Sequence, residues 1–109
     1  MVLKTATPEI IQEMVDRIVR EFDPVQVILF GSQARGDAGP DSDVDLLVVM
    51  DDDLDDPMEA SIAVRSALSG LGVAKDVVVT TPSTIAARGH IVNSVLYSAL
   101  REGRVVYAR

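Results

Sequence analysis

Three short runs rich in β-branched and aliphatic residues, Val25–Phe30 (VQVILF), Asp43–Met50 (DVDLLVVM) and Val73–Thr80 (VAKDVVVT), stand out in the chain. Runs of that length, bounded by Gly, Pro and Asp, suit buried strands. Helical-period segments precede the first run, separate the second from the third, and follow the third. Thr7–Phe22 begins with a capping Thr7, then Pro8 and Glu9, and places Ile10, Ile11, Met14, Val15, Ile18, Val19 and Phe22 at helical spacing. Pro57 opens a second helix whose Val64, Ala67, Leu68 and Leu71 share one face and which Gly70 and Gly72 end. After Thr81-Pro82 the chain turns helical again, most clearly at Ile91, Val92, Val95, Leu96, Ala99 and Leu100, before Gly103 and a last short strand, Val105–Tyr107. The order α, β, loop, β, α, β, α, β predicts the α/β (α+β) class: a small mixed β-sheet with helices packed on it. With 109 residues, 48% of them hydrophobic, the expectation is one domain over residues 1–109 with a core that needs no covalent staple.

Composition then removes several kinds of chemistry. The chain has no cysteine, which excludes disulfides, thiolate metal sites and thiol redox chemistry. No apolar run reaches the 18 or so residues of a membrane span, and MVLKTATPE lacks the form of a secretory signal, so a cytoplasmic protein is expected. Seventeen acidic side chains against ten basic ones leave a formal charge of −7, which opposes direct binding of a polyphosphate backbone. A nucleotide would need help, and metal ions are the obvious kind.

The informative segment is GSQARGDAGPDSDVD, running from Gly31 to Asp45. A glycine where a strand gives way to a helical turn lets the backbone approach a ligand closely. The N–H groups that follow and the Ser32 hydroxyl can then meet phosphate oxygens. Asp43 and Asp45, two residues apart at the start of a strand, project to one face with Val44 turned away. Two such carboxylates repel unless a cation lies between them or one is protonated, and magnesium, which takes oxygen ligands, fits the pair. Asp76 interrupts an otherwise apolar strand, where an aspartate is poor β material. If the second and third strands are neighbours, Asp76 joins Asp43 and Asp45 in a cluster able to hold two ions, while Lys75 faces the opposite side. Phosphates at Gly31-Ser32 and metals at the three aspartates describe a nucleoside triphosphate site for in-line phosphoryl displacement.

Other polar features read as structural. Five aspartates lie between Asp51 and Asp56, a solvated connection whose charge favours the positive end of the helix behind it. His90 reads as a surface or capping residue, Tyr97 and Tyr107 as core or edge aromatics, and Met14, Met50 and Met58 as packing.

Gly31-Ser32, ten intervening residues and Asp43-X-Asp45 together resemble the signature of the minimal nucleotidyltransferases within the DNA polymerase β superfamily. Asp76 in KDVVV resembles that family's third carboxylate, and Asn93–Tyr107 its C-terminal helix and strand, so the likeness spans nearly the whole chain. The resemblance implies a polymerase-β-like nucleotidyltransferase core using ATP and two Mg2+ ions. It puts Gly31 and Ser32 on the triphosphate and Asp43, Asp45 and Asp76 on the metals, with Asp76 also assisting deprotonation of the acceptor hydroxyl. Arg35, in an Ala-Arg-Gly sequence, and Ser42 complete the nucleotide-side set. Arg35 reads equally well as a loop-bracing side chain, and Ser42 as a residue that orients the Asp43 loop.

Larger superfamily members attach domains that hold the acceptor. The chain stops two residues after the last predicted strand, so the acceptor surface is expected from another chain in a hetero-oligomer. Minimal nucleotidyltransferases are commonly paired with a helical HEPN-family toxin, and some act as antitoxins that transfer AMP to a tyrosine of that toxin. This resemblance gives the leading expectation. The alternatives are a binding subunit that neutralises its partner by contact alone, and an enzyme that modifies a small molecule such as an aminoglycoside.

Overall fold

A computed structural model describes residues 6–39, 42–89, 91 and 94–109. The first helix, α1 (Pro8–Phe22), starts where Thr7 Oγ1 accepts from Ile10 N and stops at Asp23, whose left-handed backbone (φ 47°) redirects the chain. There follow β1 (Gln26–Phe30), a single turn α2 (Ser32–Arg35), β2 (Val44–Val49), α3 (Pro57–Ala67), β3 (Lys75–Thr80), α4 (Pro82–Arg88), α5 (Val95–Glu102) and β4 (Arg104–Ala108). All four expected strands are present, within two residues of their predicted limits.

The strands form one mixed sheet in the order β3-β2-β1-β4. β1 runs antiparallel to both β2 and β4, whereas β2 and β3 are parallel and α3 forms the crossover between them. Strand alternation sorts the side chains into two layers. Val27, Leu29, Val44, Leu46, Val48, Val77 and Val79 pack with Met14 and Ile18 of α1 and Val64 of α3. On the opposite face, Ile28, Leu47 and Val49 pack with Ala99 of α5, joined by the partly buried Phe30, Val78, Ile85 and Leu96. The same parity assigns Asp45 and Asp76 to this second face, near the end of the sheet where β2 and β3 begin.

The structure corrects two expectations. The segment after Pro82 is two helices: α4 ends at Gly89, and α5 starts anew with Ser94 Oγ accepting from Tyr97 N. A Cβ at Gly89 would meet Ile85 O of α4 itself at 2.7 Å and the tip of Leu100 at 2.9 Å, so glycine suits the end of α4. Ile91 belongs to neither helix; Val92, His90 and Asn93 lie outside the described residues, as do Pro40 and Asp41 of the glycine-rich loop. Met58 is not a packing residue, because it is 70% exposed. Its helix packs through Val64, and position 58 points away from that contact. Met14 is fully buried as expected, Met50 and Tyr107 are partly buried against the main core, and Tyr97 is partly buried under Arg101.

Among the described residues, no helix is long and apolar enough to cross a membrane.

Candidate active site

The site begins where β1 ends. Gly31 has φ 73° and ψ −157°, a conformation that side-chain-bearing residues essentially do not adopt. It turns the chain directly into α2, whose Ala34 and Arg35 N–H groups both donate to Gly31 O at 3.1 Å. The N–H groups of Ser32 and Gln33, at the start of that turn, precede Ala34, the first to donate within it. Space imposes the same choice of residue as the backbone, since a Cβ on Gly31 would collide with Asp45 Oδ2. The strand register explains the closeness: Asp45 lies opposite Phe30 in the antiparallel β1–β2 ladder.

On its other side Asp45 is in register with Asp76 across the parallel β2–β3 pair. Asp43, exposed, immediately precedes β2 and is two residues from Asp45. The three aspartates singled out in the sequence therefore share one end of the sheet, and Asp45, half-buried, is the centre of the group. Burial pushes the Asp45 carboxyl above its ordinary pKa; the charges of Asp76 and then Asp43 push it further, and only Arg35 opposes them. Among the described residues neither Asp43 nor Asp45 accepts a hydrogen bond. Buried carboxylates normally collect such donors, and half-buried Asp45 stands among like charges without one.

Asp76 has a partner that sequence reasoning missed. Arg65 Nη2 lies 3.0 Å from Asp76 Oδ1, reaching it from the last turn of α3. Only the strand order, which makes β3 an edge and sets α3 against it, brings position 65 to position 76, and nothing in the sequence reports that order. Among the described residues, no three acidic or histidine side chains surround a common ion position. The group still suits a hard divalent cation. It offers oxygen donors only, it carries repulsion that a cation would relieve, and its central carboxylate lies against a glycine whose missing side chain lets Asp45 approach the β1–α2 turn.

Arg35 and Ser42 have local partners. Arg35 Nε is 3.3 Å from Asp37 and its Nη1 is 3.2 Å from Glu102 of α5, so the guanidinium clamps the loop to the C-terminal helix. Ser42 Oγ accepts from Gly39 N at 2.8 Å, and its carbonyl accepts from Gln33 Nε2 at 3.4 Å, bracing the loop that delivers Asp43. These contacts favour the bracing reading of both residues.

A groove of about 640 Å3 runs along the free edge of β3 beneath α3, lined by Met58, Ile62, Arg65, Lys75 and Val77–Val79. It lies beside the carboxylates, not over them, and Arg65 is common to both.

A nucleotidyltransferase domain model matches residues 11–100, which include the whole glycine-to-aspartate segment and Asp76. No curated protein matches the sequence. A crystal structure of a Sulfolobus solfataricus protein provisionally described as a nucleotidyltransferase superposes with a TM-score of 0.66 at 20% identity, covering 93% of this chain and 79% of that one. A toxin–antitoxin complex with AMP-PNP contains a chain that superposes with a TM-score of 0.52 at 22% identity, covering 90% of this chain and 73% of that one. At such identities the likenesses bear on the fold, which they share. The family match spans most of the sequence, and the chain belongs to the nucleotidyltransferase domain family.

Proposed function

We propose that this protein transfers AMP from ATP to a hydroxyl, a tyrosine in the leading reading, of a HEPN-type toxin partner, and that it acts as the antitoxin of the pair. The observation that carries the reading is the registered pair Asp45–Asp76 set against Gly31, with Asp43 beside it. In the reaction the acceptor oxygen bonds to the α-phosphorus of ATP, the bond between the α- and β-phosphates breaks, and pyrophosphate leaves. The hydroxyl proton passes to the Asp76 carboxylate, and Gly31 and Ser32 hold the triphosphate through backbone N–H groups and the hydroxyl. Asp43, Asp45 and Asp76 would hold two Mg2+ ions, which neutralise the phosphate charge and stabilise the developing negative charge on the reacting oxygens. The resemblance to minimal nucleotidyltransferases supports the choice of ATP and of a toxin acceptor, and the toxin–antitoxin complex among the structural neighbours agrees with it.

The test is intact-mass measurement of the protein encoded beside this one, after co-expression or incubation with ATP and Mg2+. An added AMP is expected. Asp45→Asn should reduce incorporation about a hundredfold or more without unfolding the chain. A partner left unmodified by active protein would overturn the reading. Toxin neutralisation that survives Asp43→Ala with Asp45→Ala would establish the contact-only subunit in its place.

A further inference from the structure

We propose that Arg65 is the resident counter-ion of the candidate site: its guanidinium holds Asp76 while no divalent ion is bound, competes with that ion for the carboxylate, and so sets how much metal the site requires. The inference rests on the reading above that Asp76 is a metal-binding carboxylate.

Three negative groups at one end of a sheet need positive charge from somewhere. The other cations near the site are otherwise placed. Arg35 is tied to Asp37 and Glu102, and Lys75 leaves the strand on the face opposite Asp76. Arg65 alone, among the described residues, makes an ion pair with a member of the cluster. It comes from α3, the helix that links the two strands carrying the carboxylates, so its reach across the edge of β3 is a product of the crossover.

The pair is suited to exchange, not to anchoring. Its two side chains are 54% and 57% exposed, and one nitrogen–oxygen contact is made where a guanidinium can make two. An exposed pair of this kind is weak, whereas a divalent ion brings twice the charge to the same oxygen. The released guanidinium has somewhere to go, because Arg65 also lines the groove of about 640 Å3 along the β3 edge. Arg65 is a positioning residue in this account: it acts on the metal through Asp76.

The test is Mn2+ binding, followed by electron paramagnetic resonance in the presence of AMP-PNP, for wild type, Arg65→Gln, Arg65→Lys, Asp76→Asn, Asp45→Asn and the Arg65→Gln/Asp76→Asn pair. Arg65→Gln should bind Mn2+ about two- to fivefold more tightly than wild type, the range expected from removing one exposed pair. Arg65→Lys should return to the wild-type value. In the Asp76→Asn background the effect of Arg65→Gln should vanish, which a merely structural arginine would not produce. Raising monovalent salt should narrow the gap between wild type and Arg65→Gln. Unchanged or weaker binding by Arg65→Gln, with Asp45→Asn still impairing binding, would overturn the counter-ion role and leave the proposed function intact. If Asp45→Asn binds Mn2+ as wild type does, the metal reading fails and this inference fails with it.

Discussion

Two groups of aspartates, about equally conspicuous in the sequence, meet opposite fates in the structure. In the run from Asp51 to Asp56, three carboxylates have donors. Asp51 pairs with Arg109 at 3.0 Å, Asp52 accepts from Ser83 N at 2.9 Å, and Asp56 caps α3 by accepting from Met58 N and Glu59 N. The hydrogen bond from Ser83 N–H, with others from the Ser83 and Thr81 side chains, holds Asp52 below the ordinary carboxylate range. In the cluster, Asp43 and Asp45 have no donor among the described residues, and burial and like charge hold Asp45 above that range. Carboxylates that find N–H donors stabilise the fold, whereas a half-buried carboxylate set among like charges without one, as at Asp45, marks a candidate ligand site.

Substitutions that treat the groups alike should break this contrast or sharpen it. The largest effect is expected outside both. Gly31→Ala should destabilise the protein by about 1–3 kcal/mol from backbone strain alone. The collision with Asp45 Oδ2 adds to that cost and displaces the central carboxylate, so denaturant unfolding and nucleotidyl transfer should both suffer. Asp56→Ala removes a cap and should cost about 1 kcal/mol of stability while leaving transfer activity at the wild-type level. Loss of activity in that variant would mean that the two groups are coupled.

The smallest effect is the most diagnostic, because its sign differs between the groups. A carboxyl whose folded pKa is lowered, as at Asp52, adds stability above its unfolded pKa of about 3.9, and that contribution disappears as pH falls through the folded value. A carboxyl whose folded pKa is raised, as at Asp45, destabilises the ionised folded state, and the penalty is relieved as pH falls through the raised value. Asp52→Asn should therefore be less stable than wild type at pH 7 and converge with it toward pH 3. Asp45→Asn should be more stable at pH 7 and also converge in acid. Thermal unfolding between these limits measures both, and shifts of the same sign would remove the distinction.

Much of this was legible in the sequence. The strands were readable because β-branched runs such as VQVILF have few other uses, and α1 because Thr7, Pro8 and seven periodic apolar residues agree. The candidate site stood out because glycine at 31 and paired aspartates at 43 and 45 are each awkward choices for a strand end without a ligand. The break at Gly89 was not legible, since its backbone angles are ordinary and the crowding by Ile85 O and Leu100 appears only once the chain is folded. Met58 was misassigned because an apolar residue at a helix start gives no sign of which way the helix will face. The aspartate run was rightly read as exposed, but its anchoring of Arg109 and of α4 depends on β4 returning beside β1 and on β3 leading into α4.

Local chemistry therefore determined by itself which segments would be strands and most helices, and which loop and which three aspartates form the candidate site, because period, capping and misplaced polar residues are written within a few positions of one another. Tertiary structure alone decided that Asp45 and Asp76 stand in register, that Arg65 crosses the edge of β3 to reach the cluster, and that Arg35 is clamped to Glu102. Those outcomes depend on strand order and direction, which join residues 11 to 67 positions apart and leave no mark on the sequence around any one of them.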